Sequence, residues 1–275
     1  DRKRSSDIVR LIINEDRLVP AAVARVAGEL ARGVDVLAAT LASGGSVLLL
    51  GAGTSGRLAV LEAAECPPTF NTSPRQIRAV IAGGKHSVFR AKEGAEDESA
   101  LGKKAAATVR AGDTVIGVAA SGVTPFVRAA LAEAKRRGAA TILVTSNGRP
   151  KGRHADIVIA PLVGPEVVTG STRLKAGTAA KLVLNALTTG AMIKIGKVYD
   201  HWMVDLKPTS RKLRLRGERI VADLGRVSPA RARALFRASG GSVKTAVVMA
   251  RKGLSFAQAR EHLARTGGAL RRALK

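Results

Sequence analysis

Five short apolar runs, separated by segments with helical spacing, are the feature that most constrains how this chain can fold. The runs are SVLLLGA (46–52), IRAVIAGG (77–84), DTVIGVAA (113–120), ATILVTS (140–146) and ADIVIAPLVG (155–164). Each is bounded by glycine, proline or polar turns, as short buried strands are. Strands that alternate with helices form a parallel sheet, because a parallel crossover needs a dozen or more residues and a helix supplies them. We therefore predict an α/β fold with a doubly wound, five-stranded parallel sheet in the order 2-1-3-4-5.

Helical patterns flank the predicted sheet at both ends of the chain. Apolar residues recur at helical spacing from Pro20 to Leu41, and a long, mostly apolar helix is predicted from Ser171 to Lys197. After the basic segment KPTSRKLRLRGER, short amphipathic pieces predict a small helical bundle. We expect two domains, a sheet domain with N-terminal helices over residues 1–216 and a helical domain over residues 217–275.

The charge of the chain bears on its partners. Lysine and arginine number 46 against 21 acids, a formal net charge of +25, which attracts phosphates, nucleic acid or anionic membranes. The basic residues are dispersed in short runs, however, and seven aromatic residues leave little surface on which bases could stack. We favour a solvated basic surface, and expect a small-molecule partner with neither nucleic acid nor a membrane as a partner.

Three groups of residues limit the remaining classes of protein. Lys181, Asn185 and Lys194 interrupt the longest apolar stretch, so no run reaches the roughly 18 residues that a membrane span needs. Cys66 is the only cysteine, which suits a reducing cytoplasm and is typical of a buried structural thiol. The four histidines show no spacing typical of metal ligands: His86, His154, His201 and His262. We expect a cytoplasmic protein without a metal or an organic cofactor.

Two loops have the composition of a phosphate site. In the predicted strand order, ligands bind beyond the carboxyl ends of strands one and three, where the order reverses. The loops there are GAGTSGR (51–57) and AASGVTP (119–125), in which glycine and hydroxyl residues precede a helix start. Such a start favours anions through its free N–H groups and its dipole. The alternative is that the hydroxyls of Thr54, Ser55, Ser121 and Thr124 only cap helices. Neither loop has the pattern of a nucleotide-binding motif.

Glutamates near these loops are candidates for acid and base groups. Glu62 and Glu65 lie three residues apart on the helix after the first loop and so share a face. Glu65 precedes CPP, where two prolines are predicted to end that helix. The run KEGAEDE (92–98) follows strand two and contains Glu96. A solvated, acid-rich helical turn is the alternative interpretation of most of that run.

These segments together resemble the N-acetylmuramic acid 6-phosphate etherase family, whose core is a sugar isomerase (SIS) domain. The resemblance is carried by GAGTSGRLAVLEAAECPPTF, IAGG, EGAED, AASGVTPFV and VGPEVVTGSTRLKAGTAAKLVLNALTTGAMIKIGKVYDHWMVDL, and it extends to a three-helix, UBA-like C-terminal part. It implies cleavage of the lactyl ether of N-acetylmuramic acid 6-phosphate to N-acetylglucosamine 6-phosphate and D-lactate, without metal or organic cofactor. It also implies a cytoplasmic homodimer that recycles cell-wall sugars.

The resemblance also implies roles for single residues. Glu65 in ECPPTF matches the acid that assists the departure of lactate, and Glu96 in EGAED matches the base that removes the C2 proton. The matching ligands of the sugar phosphate are Thr54, Ser55, Gly56, Ser121, Gly122 and Thr124. A further set resembles the sugar-binding helix start of SIS domains, with a capped and solvated helix start as the alternative: Glu166, Ser171, Thr172 and Lys175.

Two other functions remain open at this point. A regulator that binds sugar phosphates without turnover shares many of these motifs, as the glucokinase regulatory protein does. An aldose-ketose isomerase of the SIS superfamily would use similar phosphate loops and a carboxylate base, but would not need the acid of ECPPTF.

Overall fold

The computed structural model describes residues 1–148 and 155–275 in two compact units. The sheet unit comprises residues 1–64 and 75–190, and the helical unit comprises residues 65–74 and 191–275. The basic run RPKGRH (149–154), with His154, lies outside the described residues. The domain boundary that we expect after residue 216 stays a prediction.

The predicted parallel sheet is confirmed, strand by strand and in its order. The strands are β1 (Val47–Gly51), β2 (Ile77–Ile81), β3 (Thr114–Val118), β4 (Ala140–Val144) and β5 (Ile157–Ile159), and they pair in parallel in the order β2-β1-β3-β4-β5. The central strands β1 and β3 are buried at every position, which explains why they read as unbroken apolar runs. In register, Gly51 lies beside Val118, so both strands end at the same edge of the sheet.

The N-terminal segment forms three helices, and two of them occupy the stretch from Pro20 to Leu41, where a single helical pattern was predicted. They are α1 (Ser5–Asp16), α2 (Leu18–Ala24) and α3 (Ala27–Ala42). Val26 lies outside helical backbone geometry, at φ −106° and ψ 23°, and this interrupts the helical pattern. Helix α1 buries none of its residues, whereas α2 buries Val19 and Ala22.

Helix α4 (Gly53–Phe70) follows β1 and continues past its two prolines. The prediction that the helix ends at the CPP sequence is therefore wrong. Proline fixes φ near −65°, which is itself helical, and its costs are the missing N–H and the crowding of its ring against the carbonyl four residues earlier. The helix closes beyond Pro67 and Pro68, since the N–H of Asn71 donates to the carbonyl of Pro67 at 2.9 Å. Glu65 lies within the helix, and the neighbouring Cys66 is buried, as predicted.

Three further helices complete the crossovers and lead out of the sheet. They are α5 (Ser99–Ala106), α6 (Pro125–Arg136) and α7 (Lys175–Lys194). Apolar residues of α6 pack with β1 and β3 into one core, among them Phe126, Val127 and Leu131. Helix α7 begins four residues later than the sequence predicted, because a turn in which Leu174 N–H donates to Ser171 O precedes it.

The helical unit contains the C-terminal bundle that the sequence predicted. Its helices are α8 (Arg211–Gly225), α9 (Pro229–Ala238), α10 (Val243–Lys252), α11 (Phe256–Arg265) and α12 (Leu270–Ala273). Helices α9 to α11 are the three that the amphipathic pieces predicted, and serines at 210, 228, 242 and 255 cap the starts of α8 to α11. Burial lowers the pKa of Lys244 in this core, although the nearby carboxylate of Asp205 opposes that shift.

Of the helices in residues 1–148 and 155–275, none combines the length and the apolar character that crossing a bilayer requires.

Candidate functional site

A pocket of about 250 Å³ opens in the sheet unit at the carboxyl ends of β1 and β3. This is the edge at which the strand order predicts a ligand site. Six side chains with polar groups line it: Thr54, Ser55, Glu96, Ser121, Thr124 and Thr172. All six are among the predicted site residues, although they come from four separate segments of the chain.

The turn from β1 into α4 is shaped by two glycines in close contact. A Cβ added at Gly51 would lie 2.8 Å from the backbone N of Gly56, and one added at Gly56 would lie 2.6 Å from the carbonyl of Gly51. Any side chain here would push the helix away from the strand. The pair therefore holds the first turn of α4, with Thr54 and Ser55, at the end of β1, where the first N–H groups of the helix have no intrahelical partner. Gly56 thus shapes the site and does not line the pocket.

The turn from β3 into α6 presents two more hydroxyls. Gly122 has φ +72°, its N–H donates to Ala119 O at 2.9 Å, and the N–H of Val123 donates to Ser121 Oγ at 3.3 Å. Thr124 directly precedes α6, yet its side chain accepts no hydrogen bond from the start of that helix. The capping alternative therefore does not describe Thr124, whose side chain faces the pocket instead.

The loop after β4 supports this second turn, and the sequence analysis did not assign it a role. Thr145 Oγ1 donates to the carbonyl of Ala120 at 3.0 Å, and Asn147 Nδ2 donates to the carbonyl of Ser121 at 2.9 Å. Thr145 and Ser146 also line a narrow cleft with Ser55 and Thr172. The signal was present in the sequence, since VTSN places hydroxyl and amide side chains at the end of a strand, as the other two loops do.

Glu96 reaches the pocket from a short 3₁₀ turn, Ala95–Asp97. Gly94 opens that turn in the left-handed region at φ +72°, which glycine adopts without strain. The side chain of Ala95 is buried in the core that α6 shares with the sheet. Anchoring Ala95 leaves the adjacent Glu96 carboxylate exposed and at the pocket wall.

Glu166 caps the start of α7. Its carboxylate accepts the backbone N–H of Lys175 at 2.9 Å and that of Ala176 at 3.0 Å. A carboxylate at this position satisfies two free N–H groups and complements the helix dipole. For Glu166 the structure thus supports the capping alternative over a place in the pocket wall.

Lys175 is buried and paired, so it does not line the pocket either. Its side chain is 2% exposed, and its Nζ lies 2.5 Å from Glu15 Oε2 on α1. Sequence reasoning missed Glu15, since nothing local marks a partner that lies 160 residues away. Ser171 is half-buried in the turn before α7, and its backbone N–H donates to Val168 O. From this predicted group, Thr172 is the residue that reaches the pocket.

The two glutamates of α4 have different surroundings. Glu62 is buried, and its carboxylate accepts Thr188 Oγ1 at 2.5 Å and Lys181 Nζ at 3.3 Å. Glu65 belongs to the helical unit and is exposed. Glu62 is thus a structural carboxylate that joins α4 to α7, and Glu65 is open to solvent.

The chemistry of this pocket follows from its lining. No lysine or arginine is among the described residues around it, so a bound anion would depend on hydroxyl groups, backbone N–H groups and the starts of α4 and α6. Glu96 is the charged side chain in that lining and can act as a proton acceptor. Hydroxyls beside two helix starts and one carboxylate are what binding a phosphate and moving a nearby proton require.

Comparison with known families and proteins agrees with this geometry. Residues 29–135 match the glucokinase regulatory protein N-terminal SIS domain, and residues 93–190 match the SIS domain. The chain is 51% identical to N-acetylmuramic acid 6-phosphate etherase of Symbiobacterium thermophilum, over 90% of this chain and 83% of that protein. It is 45% identical to N-acetylmuramic acid 6-phosphate etherase 2 of Vibrio cholerae, over 100% of this chain and 91% of that protein.

A solved structure shows the same fold at low identity. A phosphoheptose isomerase from Francisella tularensis superposes with a TM-score of 0.53 at 17% identity, covering 70% of this chain and 100% of the isomerase. At this identity the likeness concerns the fold alone, and it spans the whole of the isomerase.

Proposed function

The chain belongs to the N-acetylmuramic acid 6-phosphate etherase family, and from that premise we propose how its residues carry out the reaction. It is a carbon–oxygen lyase that cleaves the D-lactyl ether of N-acetylmuramic acid 6-phosphate by elimination and rehydration. The products are N-acetylglucosamine 6-phosphate and D-lactate. The observation that carries the assignment of residues is the pocket in which hydroxyls from two helix starts meet the carboxylate of Glu96.

The phosphate of the substrate binds at the starts of α4 and α6. Thr54 and Ser55 donate from the first turn of α4, and Ser121 and Thr124 donate from the turn before α6. Free N–H groups and helix dipoles favour the dianion at both places. Among the described residues, no lysine or arginine lines the pocket, so these neutral donors supply the affinity for the phosphate.

Glu96 is the base in this proposal. The sugar opens to its aldehyde, which acidifies the C2 proton, and the carboxylate of Glu96 takes that proton to give an enolate. Two observations support this role: the carboxylate lies at the wall of the phosphate pocket, and the buried Ala95 fixes the turn that carries it.

Glu65 is the acid. The enolate expels the lactyl oxygen from C3, and Glu65 gives that oxygen a proton, so that D-lactate leaves as an alcohol. Water then adds to C3 of the unsaturated aldehyde, which restores the saturated sugar. Two carboxyl groups in opposite protonation states suffice for these steps, because each transfers one proton. The support for Glu65 is its match to the ECPPTF motif.

Incubation with N-acetylmuramic acid 6-phosphate, followed by an enzymatic assay for D-lactate, tests the function directly. Release of D-lactate together with N-acetylglucosamine 6-phosphate is expected. A regulator would bind the sugar phosphate without releasing lactate, and an aldose-ketose isomerase would interconvert sugar phosphates instead. Neither alternative is favoured by relatives named as etherases at 45–51% identity.

Replacing Ser121 with alanine should weaken binding of the 6-phosphosugar. Loss of one hydrogen bond to a charged oxygen costs about 1.5–3 kcal/mol, or roughly 10- to 150-fold in Kd. Isothermal titration with N-acetylglucosamine 6-phosphate measures this effect. Ser99→Ala, at an exposed serine outside the pocket, is the matched control. Equal affinities of the two variants would mean that Ser121 has only a structural role in the turn between β3 and α6.

We further propose that the enzyme works in the cytoplasm as a homodimer, in the recycling of cell-wall sugars. Helix α1 exposes Ile8, Val9, Leu11 and Ile13, which offers an apolar surface to a second copy. By contrast, the apolar helix α7 has much of its apolar surface buried already. Light scattering at assay concentration should give twice the chain mass of 28.5 kDa. A fully active monomer would contradict the proposal.

A further inference from the structure

The net positive charge is unevenly divided along the chain. Residues 191–275 contain 20 of the 46 lysine and arginine residues but 5 of the 21 acids, a formal net charge of +15. Those residues form the helical unit together with residues 65–74. The basic runs look dispersed when the sequence is read alone, yet more than half of the excess charge lies in this smaller unit.

Helix α8 displays this charge along one side. Arg211, Lys212, Arg216 and Arg219 are exposed, and we call these four residues the basic face of α8. The opposite side of the helix is buried in the core of the unit, with Gly217, Ile220 and Val221 among its residues. At 1.5 Å per residue, the 15 residues of α8 span about 22 Å, which matches six to seven base pairs of a duplex.

Arginines on two neighbouring helices contact α8 outside the basic face. On α9, Arg233 approaches Glu218 of α8 at 3.8 Å, which places that side of α9 beside α8. Arg251 of α10 donates to the carbonyl of Leu224 at 3.3 Å, near the other end of α8. The ion pair of Arg219 with Asp223 is long, at 3.9 Å, and exposed, so it is weak and Arg219 can exchange it for a phosphate contact.

We propose that the basic face of α8 binds double-stranded nucleic acid through its phosphates, without reading its sequence. Arginine suits this role because its guanidinium stays charged and matches phosphate geometry. This inference is independent of the etherase reaction and revises our expectation that nucleic acid is not a partner, which rested on the apparent dispersal of the basic residues.

The residues of this surface do not favour binding of single-stranded nucleic acid or of an anionic membrane. Single strands need aromatic side chains on which bases stack, but α8 contains none. Trp202 and Tyr199 are partly buried against the core of the helical unit, and the exposed Phe256 lies on α11. Membrane surfaces need large apolar side chains beside the basic ones, and the exposed side of α8 offers Leu215 alone among its described residues. A duplex needs neither feature, since its phosphates supply most of the affinity.

Fluorescence anisotropy of the full chain with a labelled duplex of about 20 base pairs and arbitrary sequence tests the proposal, at KCl concentrations from about 50 to 300 mM. We expect a Kd of roughly 1–100 µM near 100 mM KCl, with a steep fall of affinity as salt rises. Changing all four residues of the basic face to alanine should reduce the slope of log K against log salt by about 3 to 4, since each phosphate contact contributes about 0.9.

The matched control removes four exposed charges from the sheet unit: Arg25→Ala, Arg32→Ala, Lys103→Ala and Lys104→Ala. It has the same net charge as the α8 variant, and both variants should release D-lactate at the rate of the unchanged chain. Three results would overturn the proposal: no saturable duplex binding near 100 mM KCl, equal loss of slope in both variants, or tighter binding to phosphatidylserine vesicles or to a single strand than to the duplex.

Discussion

The Glu96→Gln variant should lose both the release of D-lactate and the exchange of the C2 hydrogen with deuterated water. Glutamine keeps the size of the side chain but cannot accept the C2 proton, so no enolate forms and the C3 bond does not break. Removal of one positioned base typically costs about 10²- to 10⁴-fold in rate. The D-lactate assay gives the first rate, and NMR of the 6-phosphosugar in deuterated water gives the second.

Glu93→Gln is the matched control for this experiment. Glu93 is an exposed glutamate three residues earlier in the same acidic run, and it does not line the pocket. The Glu93→Gln variant should keep the rates of lactate release and of C2 exchange, while the Glu96→Gln variant should still bind N-acetylglucosamine 6-phosphate. If Glu93→Gln lost both rates and Glu96→Gln kept them, the base would be Glu93.

The Glu65→Gln variant should separate the two steps. Without the acid, the lactyl oxygen would have to leave as an alkoxide, so lactate release should fall by about 10²- to 10⁴-fold or more. Exchange at C2 should persist, because Glu96 still forms the enolate before the C3 bond breaks. Release of lactate should therefore fall in both variants, whereas exchange at C2 should be lost in Glu96→Gln and retained in Glu65→Gln.

Glu29→Gln, an exposed glutamate on α3, controls for the loss of one surface charge. Loss of exchange in the Glu65 variant with retention in the Glu96 variant would reverse the two assignments. Normal lactate release by both variants would leave the β1 to α4 segment as a phosphate site without catalytic residues.

The sheet could be predicted from the sequence because its signals are local. A buried parallel strand needs apolar residues on both faces, and Leu48, Leu49 and Leu50 of β1 are all buried. The pocket at the ends of β1 and β3 could be predicted for a related reason. Strand order alone brings the ends of β1 and β3 together, and the hydroxyl residues there are visible in the sequence.

Other features depend on contacts between distant residues, and local patterns do not reveal them. Glu166 was predicted to line the cleft, but its carboxylate accepts the N–H of Lys175, nine residues later in the chain, and so caps α7. Lys175 was assigned to the same cleft, but its ammonium group pairs with Glu15. Pro67 and Pro68 were predicted to end α4, but φ near −65° lets the last turn continue through them.

The cap on α7 also limits which sugars this scaffold favours. The carboxylate of Glu166 occupies the N–H groups of Lys175 and Ala176, so the start of α7 is not free to bind an anion as the starts of α4 and α6 are. A second phosphoryl group directed toward α7 would face a fixed negative charge where an uncapped helix would attract it. We therefore expect a sugar with a second phosphoryl group on that side to bind weakly, and a scaffold retargeted to such ligands would need Glu166 neutralised first.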